Sequence, residues 1–152
     1  HDRDAFQLAS DHTAIVRPLS GMSEIETVDP AGVVERYGVD PAQVPDLIAL
    51  RGDPSDNIPG ARGIGQKTAA ELLARFGDLE GVIANAASLT PAKARAVAES
   101  ADDLRVFREV ATMRRDLPLE LPRDHVPAWA TGAAACAAAG IGRLAERLAV
   151  RG

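Results

Sequence analysis

Residues 51–68 read Arg-Gly-Asp-Pro-Ser-Asp-Asn-Ile-Pro-Gly-Ala-Arg-Gly-Ile-Gly-Gln-Lys-Thr, and no single helix or strand can run through them. Pro54 and Pro59 interrupt a helix by removing N–H donors, and the glycines mark places where the backbone turns or is closely approached. The first half sets two carboxylates, Asp53 and Asp56, three residues apart on a segment held out of a continuous helix, so that both can face one point. That spacing suits a divalent cation. The second half has Gly60, Gly63 and Gly65, then the helix formers Gln66, Lys67, Thr68, Ala69, Ala70, Glu71, Leu72 and Leu73. The unpaired N–H groups and positive dipole end of such a helix start suit a phosphate. The turn from Gly60 to Thr68 is therefore the expected phosphate site. At Gly65 a branched side chain is expected both to block the approach of a phosphate and to misfit the backbone angles of the turn.

Plainer readings compete. Gly63-Ile64-Gly65 could be a simple helix-helix turn with Ile64 as a core plug, and Lys67 a solvated helix residue. A nucleotide-binding Walker loop fails, because it needs the lysine directly after the last glycine and Gln66 intervenes. A helix-hairpin-helix turn fits better, since its N–H groups meet successive backbone phosphates without reading base sequence.

At the start of the chain, Asp2 and Asp4 alternate as on a strand end, which sends both side chains to one side. Spacing alone leaves a metal pair and a solvated acidic terminus equally open. Thr13 to Arg17 and Ile25 to Val28 predict two short strands around Ser20-Gly21. Asp29-Pro30 and Asp40-Pro41 each predict a helix start, with Gly38 ending the first helix. From Gly60 to about Met113 the chain reads as short helices, with Asp78 and Thr90 at two of their starts. Residues 114–129 are rich in proline and extended, and Ala133 to Val150 predict two helices broken at Gly140-Ile141-Gly142.

The net charge of -5 gives no hint of a nucleic-acid binder. Its distribution matters more, because acids around divalent ions are neutralised locally while Arg62, Lys67 and Arg75 lie close together in sequence at the glycine turn. No apolar run is long enough for a membrane helix, and no secretory signal is legible. The single Cys136 cannot form an internal disulfide, so a reducing cytoplasm is the expected setting. His12 and His125 lack partners at ligand spacing, and Tyr37 and Trp129 read as packing residues.

Gly-Asp-Pro-Ser-Asp-Asn-Ile-Pro-Gly followed by Gly-Ile-Gly-Gln-Lys-Thr-Ala resembles the 5′-3′ exonuclease and flap endonuclease family, including the nuclease domain at the front of bacterial DNA polymerase I. Asp2-Arg3-Asp4 followed by Phe6-Gln7-Leu8 resembles that family's Asp-x-Asp metal motif, although His1 stands where the family has a small residue. The resemblance implies an α/β edge followed by a mostly helical helix-hairpin-helix (helix-three-turn-helix) domain, the C-terminal part of a 5′-nuclease fold. Its expected division is 1–52 for the edge of the metal-binding domain, 53–116 for the DNA-binding region and 117–152 for a C-terminal extension.

The resemblance also implies Asp2, Asp4, Asp53 and Asp56 as ligands of Mg²⁺ or Mn²⁺ in a two-metal site, Arg62, Gly63, Gly65, Gln66, Lys67 and Thr68 as the phosphate-contacting residues, a monovalent cation such as K⁺ at the hairpin, and a monomer on duplex or flapped DNA. The family's other metal carboxylates, its arch and most of its sheet precede the Asp-x-Asp motif. The chain alone is therefore expected to be an inactive C-terminal portion of the enzyme. The opposing reading is a non-catalytic helix-hairpin-helix DNA-binding module, against which the four retained acids speak; a structural domain with an unused hairpin is the third.

Overall fold

The computed structural model describes residues 3–19, 24–120 and 127–151. Residues 1–115 and 116–152 form separate compact units. His1, Asp2, the Ser20-Gly21 turn, His125 and Gly152 lie outside the described residues.

The first unit opens with a 3-10 turn, Asp4–Leu8, and an antiparallel hairpin of β1 (Ile15–Pro18) and β2 (Ile25–Val28), in which Ile15 pairs with Val28. The expected strand end at Asp4 is replaced by this turn. Arg3 adopts helical angles and Phe6 N–H donates to Arg3 O, which turns Phe6 into the core against Tyr37, with ring centroids 5.3 Å apart. Gln7 is buried as well. Its amide donates to Ala111 O and accepts from Met113 N–H, clasping the beginning of the unit to its end.

Helix α1 (Pro30–Tyr37) begins and ends where the sequence indicates. Asp29 accepts from Gly32 N–H, Pro30 occupies the first turn, and Gly38 closes the helix in the left-handed region. Asp40-Pro41 starts a 3-10 turn, Pro41–Gln43, and α2 (Val44–Arg51) begins only after it. Every residue of α2 from Val44 to Leu50 is buried, so this helix is the axis of the unit. Fully burying each of Leu47, Ile48 and Leu50 contributes about 2 kcal/mol.

Helices α3 (Gln66–Phe76) and α6 (Ala101–Ala111) pack on α2, α4 (Leu79–Ala84) packs on α3, and α5 (Pro91–Glu99) on α4. The amphipathic α3 turns Ala69, Leu72 and Leu73 inward, and α6 does the same with Leu104 and Ala111. One hydrophobic cluster runs from Phe6 through Leu50 and Ile64 to Ala111. At its edge, Asp46 of α2 accepts from Leu79 N–H of α4 and lies 4.0 Å from Arg108 of α6. Arg108 and Arg105 both reach Glu80, which joins the three helices electrostatically.

In the second unit α7 (Trp129–Ala138) packs on α8 (Gly142–Ala149). Gly140 sits at φ 76 between them, and the Arg151 guanidinium lies over the Trp129 ring. Among the described residues no helix is long and apolar enough to cross a membrane.

Candidate nucleic-acid interface

The link from α2 to α3 is a closed backbone structure. Asp53 and Ile58 exchange N–H···O bonds of 2.8 and 2.9 Å around a 3-10 turn, Pro54–Asp56, and Asn57 takes the left-handed conformation at its end. Ala61 N–H then donates to Leu50 O, drawing the chain back onto the end of α2. At Gly60, a Cβ would stand 2.3 Å from Gly52 N, so only glycine lets the two backbones meet there. Ile58, Ala61 and Ile64 are buried beneath this closure, and Ile64 is the plug its sequence suggests.

Beyond Ile64 the chain opens. Gly63 has φ 78 and is exposed, and Gly65 is the N-cap of α3 without any side-chain cap. The N–H groups of Gly63 and Gly65 find no acceptor among the described residues, and those of Gln66, Lys67 and Thr68 fall in a helical first turn that has no i−4 carbonyl. A Cβ at either glycine would point into open space. Gly65 lies at φ −91 and ψ 178, extended backbone open to any residue. The expected misfit of a larger residue with the turn's angles is thus corrected: only the space above Gly65 argues for glycine.

Arg62 and Lys67 are exposed and Thr68 is half-buried. Arg62 and Gly63 also line a cleft of about 520 Å³ with Arg95 and Glu99 of α5. Gln66 is exposed, but its side chain is engaged by the protein itself, its Nε2 donating to Arg36 O and its Oε1 accepting from Arg51. Arg75 lies in the last turn of α3, where its guanidinium stacks on Phe76, nine residues beyond Gln66 and so about 13 Å along the helix.

The carboxylates are less gathered. Asp53 is 1% exposed, and its Oδ1 accepts from the Ser55 N–H and hydroxyl. Its Oδ2 is buried without a hydrogen bond, 3.6 Å from Arg3 and 3.5 Å from Arg51. Burial pushes the Asp53 carboxyl up, but the Ser55 bonds and the two guanidiniums outweigh it and hold it below the ordinary range. Asp56 is exposed at the end of the 3-10 turn, and Asp4 is half-buried at the start of the first one. Among the described residues no three of His, Cys, Asp and Glu come together around one point. The orphaned Asp53 Oδ2 fits one metal ligand, and the described residues by themselves do not make a metal site.

Arginines form the grouping that the sequence reading did not anticipate. Arg3, Arg17, Arg36 and Arg51 line one cleft of about 400 Å³, with Gln66 on its wall. They come from four separate segments, so no local spacing announces them.

The family described as 5′-3′ exonuclease, C-terminal SAM fold, matches residues 39–131. The chain is similar to a DNA polymerase I of Mycobacterium leprae, 43% identical over 81% of this chain and 14% of the polymerase. It is also similar to a 5′-3′ exonuclease of Streptomyces coelicolor, 42% identical over 97% of this chain and 52% of that protein. A thermostable DNA polymerase I of Thermus aquaticus is 42% identical over 79% of this chain and 14% of its own length. The chain thus spans about half the length of the exonuclease and a small part of each polymerase.

Proposed function

This chain belongs to the 5′-3′ exonuclease family, and from that membership we propose that it is the part of a 5′-nuclease that grips duplex or flapped DNA through phosphates, without sequence preference. The observation that carries the proposal is the start of α3: an exposed helix N-terminus with no side-chain cap, open space at Gly63 and Gly65, and Lys67 and Arg62 beside it. A phosphate oxygen there meets N–H donors, a helix dipole and two cations at once. In this reading a monovalent cation such as K⁺ would sit at the same turn.

The intact enzyme, in this reading, hydrolyses DNA phosphodiester bonds as a monomer. Asp2, Asp4, Asp53 and Asp56 would hold Mg²⁺ or Mn²⁺, which when bound generates hydroxide and stabilises the departing oxygen. Within this chain the role of Asp53 rests on its buried, unsatisfied Oδ2. Because so few ligands gather, the chain alone should cleave a labelled 5′-flap substrate poorly or not at all. A non-catalytic binding module draws support from the engagement of Asp53 by Arg3 and Arg51.

Fluorescence anisotropy with two duplexes of unrelated sequence, at three salt concentrations, tests the grip. The two duplexes should bind equally, and Lys67→Ala should lower the slope of log affinity against log salt by about one unit. A salt-independent affinity, or a slope untouched by Lys67→Ala, would remove the turn from the interface.

A further inference from the structure

We propose that the cleft lined by Arg3, Arg17, Arg36 and Arg51 is a second phosphate site, distinct from the α3 start, which holds one phosphate of the same nucleic acid. This rests on the reading of the chain as a DNA-gripping module. Four guanidiniums line the cleft; among the described residues Asp53 and Glu26 form ion pairs with them, and Asp4 also acts electrostatically on Arg51. Among the described residues four cations thus face three carboxylates, Asp53, Glu26 and Asp4, in a space large enough for a phosphate group.

The guanidiniums also keep unused donors. The Arg51 side chain is only 10% exposed, yet its Nε has no hydrogen-bond partner among the described residues; the Arg17 Nε, also buried without a hydrogen bond, has the Glu26 carboxylate at 3.4 Å. A buried N–H left without an acceptor costs about 1–3 kcal/mol, and an anion in the cleft would supply the acceptor. Guanidinium matches phosphate with paired N–H···O bonds, and its charge is permanent. Arg51 is already fixed in place, donating to Gln66 Oε1 at 2.8 Å and lying over the Tyr37 ring at 5.8 Å, so little side-chain freedom remains to be lost on binding.

Gln66 links the two sites. It is the first residue of α3 and also forms part of the cleft wall, so a strand held at the α3 start passes directly beside the arginines. A terminal phosphate monoester and an internal diester share the chemistry that the cleft recognises.

The test is a titration of the nitrogen-15-labelled chain with inorganic phosphate at constant ionic strength, following the arginine Nε–Hε signals against a parallel sodium chloride series. The Arg51 signal should move saturably with phosphate and not with chloride. Arg36→Gln, an exposed change that leaves the core untouched, should raise the half-saturating concentration several-fold, while Lys67→Ala should leave it unchanged. Single-stranded tetramers with a 5′-phosphate or a 5′-hydroxyl then separate the sources: competition by the phosphorylated one alone assigns a terminal phosphate, and competition by both assigns an internal one. A phosphate response no larger than that of chloride, or equal weakening by Lys67→Ala and Arg36→Gln, would overturn the proposal. If duplex fails to bind while phosphate still saturates Arg51, the hairpin reading falls and the anion site stands; if duplex binds through Lys67 but Arg36→Gln changes nothing, the second site alone falls.

Discussion

Helix α4 begins with its N–H groups occupied by the protein's own carboxylates, Asp78 receiving Gly81 N–H at 2.7 Å and Asp46 receiving Leu79 N–H at 3.2 Å. Helix α3, the element just before it, begins at Gly65 with no carboxylate and no side-chain cap. Both starts present the same need for negative charge. At α4 that need is met inside the fold, by a residue of the central helix, and the result is a packed and salt-bridged corner. At α3 it is left to solvent or to an external anion. In the proposed reading, a structural helix start and a binding helix start differ by where the anion comes from.

The comparison breaks most visibly at Asp46. Asp46→Ala leaves the buried Leu79 N–H without its acceptor and removes one of the two carboxylates facing the partly exposed Arg108, and should destabilise the chain by about 2 kcal/mol in urea unfolding. Duplex affinity of the folded protein should not change. Next in size is Gly65→Val, the reverse case. It should cost at most about 1 kcal/mol of stability, since the position is exposed and extended, and yet weaken duplex binding about tenfold by filling the space over the first-turn N–H groups. Loss of stability with intact binding would show that Gly65 serves the fold instead. Asp78→Ala should cost about 1 kcal/mol, the usual worth of an N-cap, again with binding unaltered.

The smallest effect is a difference in pH dependence between two buried aspartates. Burial raises the Asp46 carboxyl, against the Leu79 N–H and Arg108, so its proton is held more tightly in the folded state. Its stabilising contribution is complete below the ordinary carboxylate value of 3.8 and fades as pH rises through the raised folded value. Asp53 is lowered, so its contribution is present above 3.8 and fades as pH falls. Relative to the parent, Asp46→Asn should gain stability between pH 3 and pH 7, and Asp53→Asn should lose it. Thermal unfolding across that range reads both signs, and slopes of the same sign would contradict the assignment.

Much of this contrast could be read from the sequence, because caps and turns are local. Asp29-Pro30 with Gly38, Asp78 before Leu79, and Gly63-Ile64-Gly65 before α3 each sit where their residue types place them. The start of α2 slipped by three residues because Asp40-Pro41 opens a 3-10 turn, with Pro45 in the first turn of the helix that follows. The burial of Asp46 was not legible, since its partners Leu79 and Arg108 lie far along the chain and only packing joins them. Arg3, Arg17, Arg36 and Arg51 were missed for the same reason. Arg51 stood inside the motif, but nothing local says that three other segments bring arginines to it. Asp53 was singled out by its spacing to Asp56, whereas its burial comes from the bridge to Ile58 and the close approach of Gly52 and Gly60.

The most direct test is to follow the backbone amide signals of both helix starts while the chain is titrated with a short duplex at low salt. The amides of Gly63, Gly65, Gln66 and Lys67 should shift with duplex and return as salt is added, while those of Leu79, Glu80 and Gly81 stay still. Equal movement at the two starts, or movement at α4 alone, would contradict the claim that the fold keeps one helix end for itself and leaves the other for DNA.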